Sequence, residues 1–482
     1  MKFFSAILIL LILNINLSFA KDILLDKPID LTVTAKCDLN EFCKKFIDNI
    51  DIETFIKEQI KGDFIPVSLD ECISVAMRNN FDIQIKYHEF KSAKYNYEYS
   101  LSKFLPNFET TSYIAHYAGQ ILVGGVLSDN FDETAVSINL NVYHSLTKGG
   151  KEIFEAKAAK YFSKSKNHTQ NFTKSQVIYL TSKYYYEALL AKIYTEIYLR
   201  NLIERNAQLT LAKSQEKAGF GTHFDVIRSQ NESLDAKNKV LNALNDFRIS
   251  ETNLANILGI EVETKLMPFE DEVSELDLID YQKPIEELYL FAIDNREDLK
   301  SDKALINYER QVKNTIVTDF IPKPYIGYQQ QFQGTAKTSF YPNYIVAGYL
   351  SWQPGEYFGV GTMKKIKVQN EKIKTKKLEY ENNLRMIKEN LIKAQSSSFF
   401  NKKQIEINKE RLDFSKESIK LATLRFNNGK GILLDVIQAQ NEVTTARVQY
   451  VASIINYNIS QLDLVFNCGT ISKEKILENY KP

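Results

Sequence analysis

Histidine, serine and acidic side chains could carry catalysis or bind a metal, so their spacing is the first evidence of what this chain can do. The five histidines share no interval that would build a zinc site or place a general base; they are His88, His116, His144, His168 and His223. No Ser/His/Asp arrangement, phosphate-binding loop or pair of acids has the spacing of an active site. We therefore expect no enzymatic activity, no cofactor and no metal site.

The N-terminus has the composition of a secretory signal peptide. Lys2 precedes an apolar run over residues 3–13, and the small residues Ser18 and Ala20 follow it. The run is too short for a spanning helix. We predict cleavage after Ala20, which makes residues 1–20 the signal, and no lipid anchor, because no cysteine follows the run.

The four cysteines fall into two pairs. Cys37 and Cys43 lie six positions apart near the N-terminus, where a local disulfide is plausible in an exported chain but is not required. Cys72 and Cys468 occupy apolar positions and are interpreted as buried free thiols. No Cys-x-x-Cys or His/Cys cluster suggests a metal.

Net charge and hydropathy exclude further classes of protein. The chain has 61 Lys and Arg against 60 Asp and Glu, a net charge of +1, which gives no electrostatic reason to expect a nucleic acid partner. After the signal, no segment reaches about 18 consecutive apolar residues, so no transmembrane helix is expected. A membrane role would therefore need a β-barrel.

Two patterns occur twice in the chain. A segment with two glycines, an Asp-Val-Ile triplet and a Gln-Asn-Glu triplet occupies 219–232 and recurs 210 positions later at 429–442. A second pattern, which ends in an apolar residue and a proline, occupies 69–106 and recurs 216 positions later. Such self-similarity indicates an internal duplication. The predicted organisation is an N-terminal extension at 21–67, a first repeat at 68–267, an acidic connector at 268–283, a second repeat at 284–470 and a C-terminal tail at 471–482.

Each repeat begins with a helix signal. Ser68 and Glu71 form a capping box, and Pro284 supplies the equivalent start. We predict one unbroken helix from each start to Pro106 or Pro322, about 36 residues and about 55 Å long.

Longer helices follow in each repeat. From Gly150 to Ala218 and from Gly361 to Asn427 there is no internal proline or glycine, which predicts helices of about 65 residues and about 100 Å. A second helix follows from Asp225 and from Asp435, with apolar residues at intervals of seven. This spacing is typical of coiled coils.

After Pro106 and Pro322 the sequence pattern changes from a helical period to an alternation of apolar and polar residues. Between 136 and 142 apolar and polar residues alternate, so one face of a strand carries Ser137, Asn139 and Asn141. Two further strands are predicted at 325–332 and 344–352.

Strands of about ten residues can cross a bilayer when tilted, with the polar row facing a wet lumen. Four strands cannot close a barrel alone and open edges do not survive in lipid, so several chains must share it. The predicted fold is mostly α-helical with a β-barrel part.

On these features, residues 68–469 resemble the TolC-like outer membrane channel proteins. The resemblance rests on the signal peptide, the duplicated order of helix, hairpin and two long helices, the Gly149-Gly150 restart after the first hairpin, and the two repeated turn motifs. It implies a homotrimer with a shared twelve-stranded barrel in the outer membrane of a Gram-negative bacterium, and a helical tunnel that projects into the periplasm. It also implies a periplasmic adaptor and an inner-membrane transporter as partners, with drugs or proteins as cargo.

By that resemblance, the turns between the paired long helices form the periplasmic end of the tunnel, where the adaptor docks. The docking residues would be Gly219, Gly221 and Thr222 in the first turn and Gly429 and Gly431 in the second. Glycine also permits the positive φ of a tight turn. Helix punctuation therefore explains the glycines equally well, although not the identical Asp-Val-Ile that follows each turn.

The same resemblance suggests where the pore narrows. Asp225 and Asp435 open the helices that follow the turns, where a carboxylate favours the helix dipole. In a trimer, three copies of Asp435 would also ring the pore and favour cations.

This chain departs from the gate pattern of the family at three positions. A second acid, an arginine and a tyrosine are expected where Gln438, Gly431 and Phe426 stand. The closed state is therefore either held more weakly or held by other residues, such as Arg228 or Arg425.

Two features lie near the second hairpin. Seven lysines occur between 364 and 377, which fits either a solvated helix face or contact with anionic headgroups at the inner rim of the membrane. Trp352 at a strand end fits an aromatic girdle.

The sequence thus predicts a passive exit duct of a tripartite efflux or type I secretion system, driven by its partner pump and embedded in outer membrane lipid. An exported coiled-coil structural protein, either a surface stalk or a periplasmic scaffold, would explain the heptads and the signal. It would not explain the alternating hairpins or the paired turns. The cargo, whether a drug, a metal ion or a secreted protein, stays open.

Overall fold

The structure is a computed structural model of the chain. It describes residues 64–480 with the exception of 121, 124–125, 128–130, 146–149, 220, 271–272, 336–338, 354 and 429. The predicted signal peptide, most of the N-terminal extension with Cys37 and Cys43, and Gly429 lie outside the described residues. Cys72 and Cys468 are buried free thiols, as predicted.

The first repeat contains helices and strands in the predicted order. The short strand β1 (Ile65–Val67) precedes this repeat. The repeat comprises α1 (Leu69–Asn79), α2 (Phe81–Ser102), β2 (Asn107–Gly119), the short pair β3 (Leu122–Val123) and β4 (Val126–Leu127), β5 (Phe131–Ser145), α3 (Lys151–Lys217) and α4 (His223–Leu258). The predicted capping box of Ser68 and Glu71 starts α1.

The second repeat follows the same order. The short strand β6 (Leu266–Pro268) lies between the repeats. The second repeat comprises α5 (Ile285–Asn295), α6 (Glu297–Val317), β7 (Lys323–Thr335), β8 (Tyr341–Ser351), α7 (Val360–Asn427) and α8 (Leu433–Asn467), and the tail helix α9 (Lys473–Asn479) follows it. The long helices α3 and α7 are continuous over 67 and 68 residues, as the absence of internal proline and glycine predicts. The fold class is therefore confirmed as mostly helical with a strand region.

The prediction of one unbroken first helix in each repeat is wrong. Each is two helices, separated at Asn80 and at Arg296, where the backbone is extended with ψ of 126° and 122°. Asn80 Oδ1 accepts the backbone N–H of Asp82 at 2.9 Å, so its side chain starts a new helix.

The break at Asn80 packs against the end of α4. Asn80 Nδ2 donates to the carbonyl of Ile257 at 2.9 Å. Gly259, which ends α4 with φ of 68°, approaches so closely that a Cβ there would lie 2.5 Å from the Asn79 carbonyl oxygen. The break is thus determined by a contact with residues far away in the sequence.

The second repeat has the same arrangement. Arg296 Nη1 donates to the carbonyl of Asn467 at 3.2 Å, at the end of α8. A Cβ on Gly469, whose φ is 73°, would lie 2.9 Å from the Arg296 Cα. Glycine is required at both positions by positive φ and by the close approach of another backbone.

A four-stranded antiparallel sheet runs in the order β2-β5-β7-β8. Asn139 pairs with Thr111 on one side and with Gln331 on the other, whereas Ile138 pairs with Ser112 and Phe332. Because paired residues share a face, Gln331 of β7 lies on the polar face of β5 and Phe332 lies on its apolar face. At the centre of the sheet, one face therefore carries Ser137, Asn139 and Gln331, and the opposite face carries Ile138 and Phe332.

The largest apolar core joins both repeats through their helices. Leu69 and Ile73 of α1, Leu258 of α4 and Leu462 of α8 are fully buried together in this core. The parallel pair of β1 with β6, which the sequence did not indicate, adds Val67 to it.

The acidic connector is held against α8 by buried amide side chains. Asn458 Oδ1 accepts the backbone N–H of Leu276 at 2.8 Å, and Gln461 Oε1 accepts those of Leu278 and Ile279 at 3.1 Å. Both amide residues are fully buried. These bonds satisfy backbone groups that would otherwise be buried without partners.

The chain divides into two compact units. The sheet unit comprises residues 86–172 and 297–386, and the tip unit comprises the described residues up to 85, 173–296 and those from 387 onward. Among the described helices, none combines the length and the apolar composition needed to cross a membrane.

We predict that Gly259→Ala destabilises the protein far more than Gly219→Ala. Both glycines have positive φ, 68° and 77°, so alanine brings backbone strain of about 1 kcal/mol at either site. Only at Gly259 would the new Cβ also meet a backbone carbonyl, which adds about 1–3 kcal/mol. Thermal unfolding followed by circular dichroism measures both variants, and equal melting temperatures would contradict the contact at Asn79.

Candidate functional site

Two turns join the long helices of the tip unit. The first lies between Lys217 and His223, and the second between Asn427 and Leu433. A Cβ on Gly221 would lie 3.1 Å from the Gln215 Cβ, and a Cβ on Gly431 would lie 3.1 Å from the Arg425 Cβ. Each glycine therefore lets the turn cross the last turn of the preceding helix, which explains why the motif repeats.

The other predicted docking glycines differ from these two. Gly219 has φ of 77° with open space around it, so its backbone conformation accounts for the glycine. Gly429 is outside the described residues. The predicted docking role of the four glycines and Thr222 stays a prediction.

The first helix after a turn is capped by a side chain. Thr222 Oγ1 accepts the backbone N–H of Asp225 at 3.2 Å, and the Asp225 carboxylate accepts the backbone N–H of Thr222 at 3.2 Å. Asp225 Oδ2 also accepts the Thr222 hydroxyl at 2.6 Å. The Asp225 carboxylate is thus engaged in holding the start of α4.

The second helix after a turn has no such cap. Ile432 occupies the position equivalent to Thr222 and has no side chain that can accept a hydrogen bond. Asp435 is exposed, and its carboxylate makes no hydrogen bond within the described part of the chain. Gln438 is also exposed and lies on the same side of α8 one turn later. Of Asp225 and Asp435, the two acids assigned to the gate, Asp435 is the one whose carboxylate has no hydrogen bond in the described part of the chain and can act on ions.

The arginines proposed to hold the gate do not join helices. Arg228 lies over the ring of Phe224 on its own helix, at 5.9 Å from the ring centroid. Arg425 is exposed and its guanidinium has no hydrogen bond or ion pair among the described residues, while Phe426 beside it is half-buried. Their assignment to a gate stays a prediction that these contacts do not favour.

An arginine that the sequence reasoning did not single out links the two repeats. Arg205 of α3 is only 1% exposed. Its guanidinium donates to Gln440 Oε1 at 3.0 Å, to Asn441 Oδ1 at 2.8 Å and to the carbonyl of Ile437 at 3.3 Å. All three acceptors belong to α8, so one side chain ties α3 to the helix that carries Asp435.

The charge of Arg205 is compensated at longer range. Burial lowers the pKa of its guanidinium, and the nearby carboxylates of Glu232 and Glu204 oppose that effect. Asn441 Nδ2 also donates to Glu232 Oε2 at 3.4 Å, which brings α4 into the same network. Arginine stays charged in such a site because its intrinsic pKa is so high.

One sequence signal could have pointed to this network. Gln440 and Asn441 belong to the repeated Gln-Asn-Glu triplet, whose recurrence had no explanation. The residue 210 positions after Arg205 is Ser415, so the second repeat has no equivalent arginine. The triplet marks the acceptor side of the contact, whereas the donor occurs in one repeat only.

The predicted lumen residues of the sheet unit do lie together. Ser137 is fully buried and donates to Asn139 Oδ1 at 3.3 Å, and Gln331 Nε2 donates to Ser137 Oγ at 3.3 Å. Asn141 continues this polar row at the next position of the same face. On the opposite face, Ile138 is 40% exposed and Val346 67% exposed. Along the central strand β5 the polar residues are therefore sheltered and Ile138 is exposed, which is the reverse of a strand on the surface of a water-soluble protein.

Within the described residues, no group of three or more His, Cys, Asp or Glu side chains is placed to hold a metal ion. What the geometry provides is a polar sheet face and a pair of helical turns with one free carboxylate.

Comparison with known proteins gives one family and one fold. The model of the outer membrane efflux protein family matches residues 72–260. No curated protein sequence matches the chain.

Solved structures match over most of the length. The CmeC outer membrane channel of Campylobacter jejuni shares 13% identity with a TM-score of 0.74, over 92% of this chain and 92% of that one. The open state of the MtrE outer membrane channel of Neisseria gonorrhoeae shares 15% identity with a TM-score of 0.67, over 83% and 88%. The outer membrane protein VceC of Vibrio cholerae shares 13% identity with a TM-score of 0.70, over 83% and 96%. At these identities the likeness establishes the fold alone.

We predict that Arg205→Lys loosens the start of α8. Lysine keeps the charge but cannot reach three acceptors in a planar fork, so the loss is about 2 kcal/mol of local stability. Hydrogen exchange over residues 433–445 should speed up by about thirtyfold. Arg228→Lys is the matched control. The Arg228 guanidinium lies over Phe224 on its own helix and has no hydrogen bond to α8 among the described residues, so this variant should leave exchange unchanged. Equal exchange in the two variants would remove Arg205 from this role.

Proposed function

We propose that the chain is the outer membrane exit duct of a tripartite efflux or type I secretion system, because residues 72–260 match the model of the outer membrane efflux protein family and most of its length has the fold of outer membrane channels. It sits in the outer membrane of a Gram-negative bacterium, with its helices in the periplasm. It is a passive conduit, and the energy for transport comes from an inner-membrane pump.

The observation that carries this proposal is the inverted polarity of the sheet. Ser137 is fully buried on the polar face, whereas Ile138 beside it in the sequence is 40% exposed on the apolar face. An exposed apolar face costs free energy in water, at about 25 cal/mol for each Å². In a bilayer the same face is favourable, and the polar face lines a water-filled lumen.

The sheet also supports a homotrimer. It has four strands, with β2 and β8 at its edges. In lipid, unpaired backbone groups on an edge strand cost several kcal/mol each, so β2 of one copy must pair with β8 of the next. Three copies would give twelve strands, a size that leaves room for a passage.

The tip unit supports a gated periplasmic end. The free carboxylate of Asp435 would occur three times around the axis and attract cations. The turns at 218–222 and 428–432 would receive the periplasmic adaptor, whose binding opens the passage. Arg205 keeps α8 on α3 within each copy, so opening requires α8 to move together with that helix or to break this network.

A second candidate is an exported coiled-coil structural protein. The long helices alone would suit a stalk or a scaffold. The inverted sheet does not, because a stalk in water would have to leave Ile138 and Val346 exposed. Extraction by salt instead of detergent would favour this second candidate.

We predict discrete cation-preferring openings when the detergent-extracted protein is placed in a planar bilayer. Asp435→Asn should lower the preference for cations over anions by on the order of tenfold and weaken block by divalent cations, because it removes the free carboxylate ring. Gln438→Glu should do the opposite, since it adds a carboxylate one turn later on the same side of α8.

The conductance measurement distinguishes a failure of the duct from a failure of the Asp435 assignment. Absence of any conductance from well-folded oligomers would contradict the duct itself. Normal conductance with unchanged selectivity in both variants would keep the duct and place the constriction away from Asp435.

A further inference from the structure

A strained aromatic turn connects β8 to α7 in the sheet unit. Tyr357 and Phe358 both have left-handed backbones, with φ of 51° and 58°, which bulky residues rarely adopt. Their side chains are 83% and 96% exposed. Two large aromatic residues are therefore displayed to the surroundings at a cost in backbone strain, a combination that points to a role outside the fold.

The turn is held in a fixed shape by its own hydrogen bonds. The Glu356 N–H donates to the buried hydroxyl of Thr362 at 3.0 Å, and the Glu356 carbonyl accepts the N–H groups of Gly359 and Gly361 at 3.0 and 3.2 Å. The Glu356 carboxylate also pairs with Lys365 at 2.6 Å. The exposure of the two rings is thus imposed by the backbone and does not depend on side-chain freedom alone.

Other exposed apolar side chains lie at the same end of the sheet. Trp352 follows the last residue of β8, is 60% exposed, and donates its ring N–H to the carbonyl of Phe320 at 3.3 Å. Phe108 near the start of β2 is 64% exposed, and Ile321 just before β7 is 45% exposed. Aromatic side chains collect in this way where a barrel meets the headgroup region.

The lysines of α7 divide into paired and unpaired groups. Lys365, Lys374 and Lys376 form ion pairs with Glu356, Glu371 and Glu379. Four others are exposed and have no ion pair within the described ranges: Lys364, Lys367, Lys372 and Lys377.

Distance separates these four lysines into two pairs. Measured along α7 from its first residue, Lys364 and Lys367 lie about 6 and 10 Å away, whereas Lys372 and Lys377 lie about 18 and 26 Å away. Charges act over a Debye length of about 8 Å at physiological salt. The first pair, at about one Debye length, is therefore screened much less from a negative charge beside the aromatic turn than the second pair, at about two to three Debye lengths.

We propose that Tyr357, Phe358, Lys364 and Lys367 form a binding site for anionic phospholipid headgroups at the helix-side rim of the membrane. This rests on the proposed membrane placement of the sheet. The two rings lie in the boundary between headgroups and acyl chains, and the two ammonium groups contact the lipid phosphates.

Two observations favour lipid over a second protein as the occupant. The rim is continuous with the apolar sheet face, where Ile138 and Val346 are exposed. The unpaired charges beside it are positive, which complements anionic headgroups. The site would therefore fix the depth of each copy and select the lipids around it.

Trp352 is the only tryptophan in the chain and reports directly on this rim. We predict that, in vesicles of phosphatidylcholine with the full-length protein, brominated phosphatidylglycerol quenches Trp352 more strongly than brominated phosphatidylcholine at equal mole fraction. The relative binding constants should differ by about fivefold or more, as expected for lysines close to an anionic surface. Lys364→Gln with Lys367→Gln should abolish the difference. Lys372→Gln with Lys377→Gln, which removes the same charge farther along α7, should preserve it.

The aromatic turn has its own variant. Tyr357→Gly with Phe358→Gly suits the left-handed backbone, so the fold is retained, and it should weaken the quenching by both lipids. Unchanged quenching would remove the turn from the site.

Three results would overturn the proposal in different ways. Equal quenching by the two lipids in a conducting wild-type protein would contradict lipid selection but not the duct. Loss of the preference on adding inorganic phosphate would assign the lysines to a free anion. Absence of quenching by either lipid would contradict the membrane placement of the rim, and with it the proposed function.

Discussion

The unpaired backbone of the two edge strands is the constraint on which the rest of this structure depends. Within the described residues, β2 pairs only with β5 and β8 only with β7, so each has one row of backbone N–H and C=O groups without a strand partner. Water can satisfy such groups, but lipid cannot. Because the sheet also exposes apolar residues such as Ile138 and Val346, the proposed membrane placement requires both surrounding lipid and further copies of the chain.

The helices meet a different requirement. They are held rigidly to one another within each copy, whereas the turns at their ends need to be able to move. The buried guanidinium of Arg205 fixes α8 on α3, and the amides of Asn458 and Gln461 fix the connector on α8. At the turns the two repeats differ, since Thr222 engages Asp225 whereas Ile432 leaves Asp435 free. The duplication thus gives two similar pairs of long helices. Because Ile432 stands in the second pair where Thr222 stands in the first, the Asp435 carboxylate is left free to act on ions.

Much of the fold could be predicted from periodicity. Strand and helix periods depend on neighbouring residues, so the polar row at Ser137, the long helices and the duplicated order could all be predicted from the sequence. The break at Asn80 was not, because it is set by contact with Ile257 and Gly259 at the far end of another helix. The role of Arg205 could not be predicted from the sequence for the same reason, because its hydrogen-bond acceptors lie more than 230 positions away. The pairing of β1 with β6 involves three residues on each strand, too few to show a period.

The number of copies in the detergent-extracted particle tests the central claim most directly, because everything proposed for the sheet requires its edges to be closed by other copies. Native mass spectrometry gives that number without assuming any register between strands. We expect three copies that remain together in detergent and separate only on unfolding. A stable monomer, or a dimer, would mean that eight strands or fewer are available, and would contradict a shared barrel.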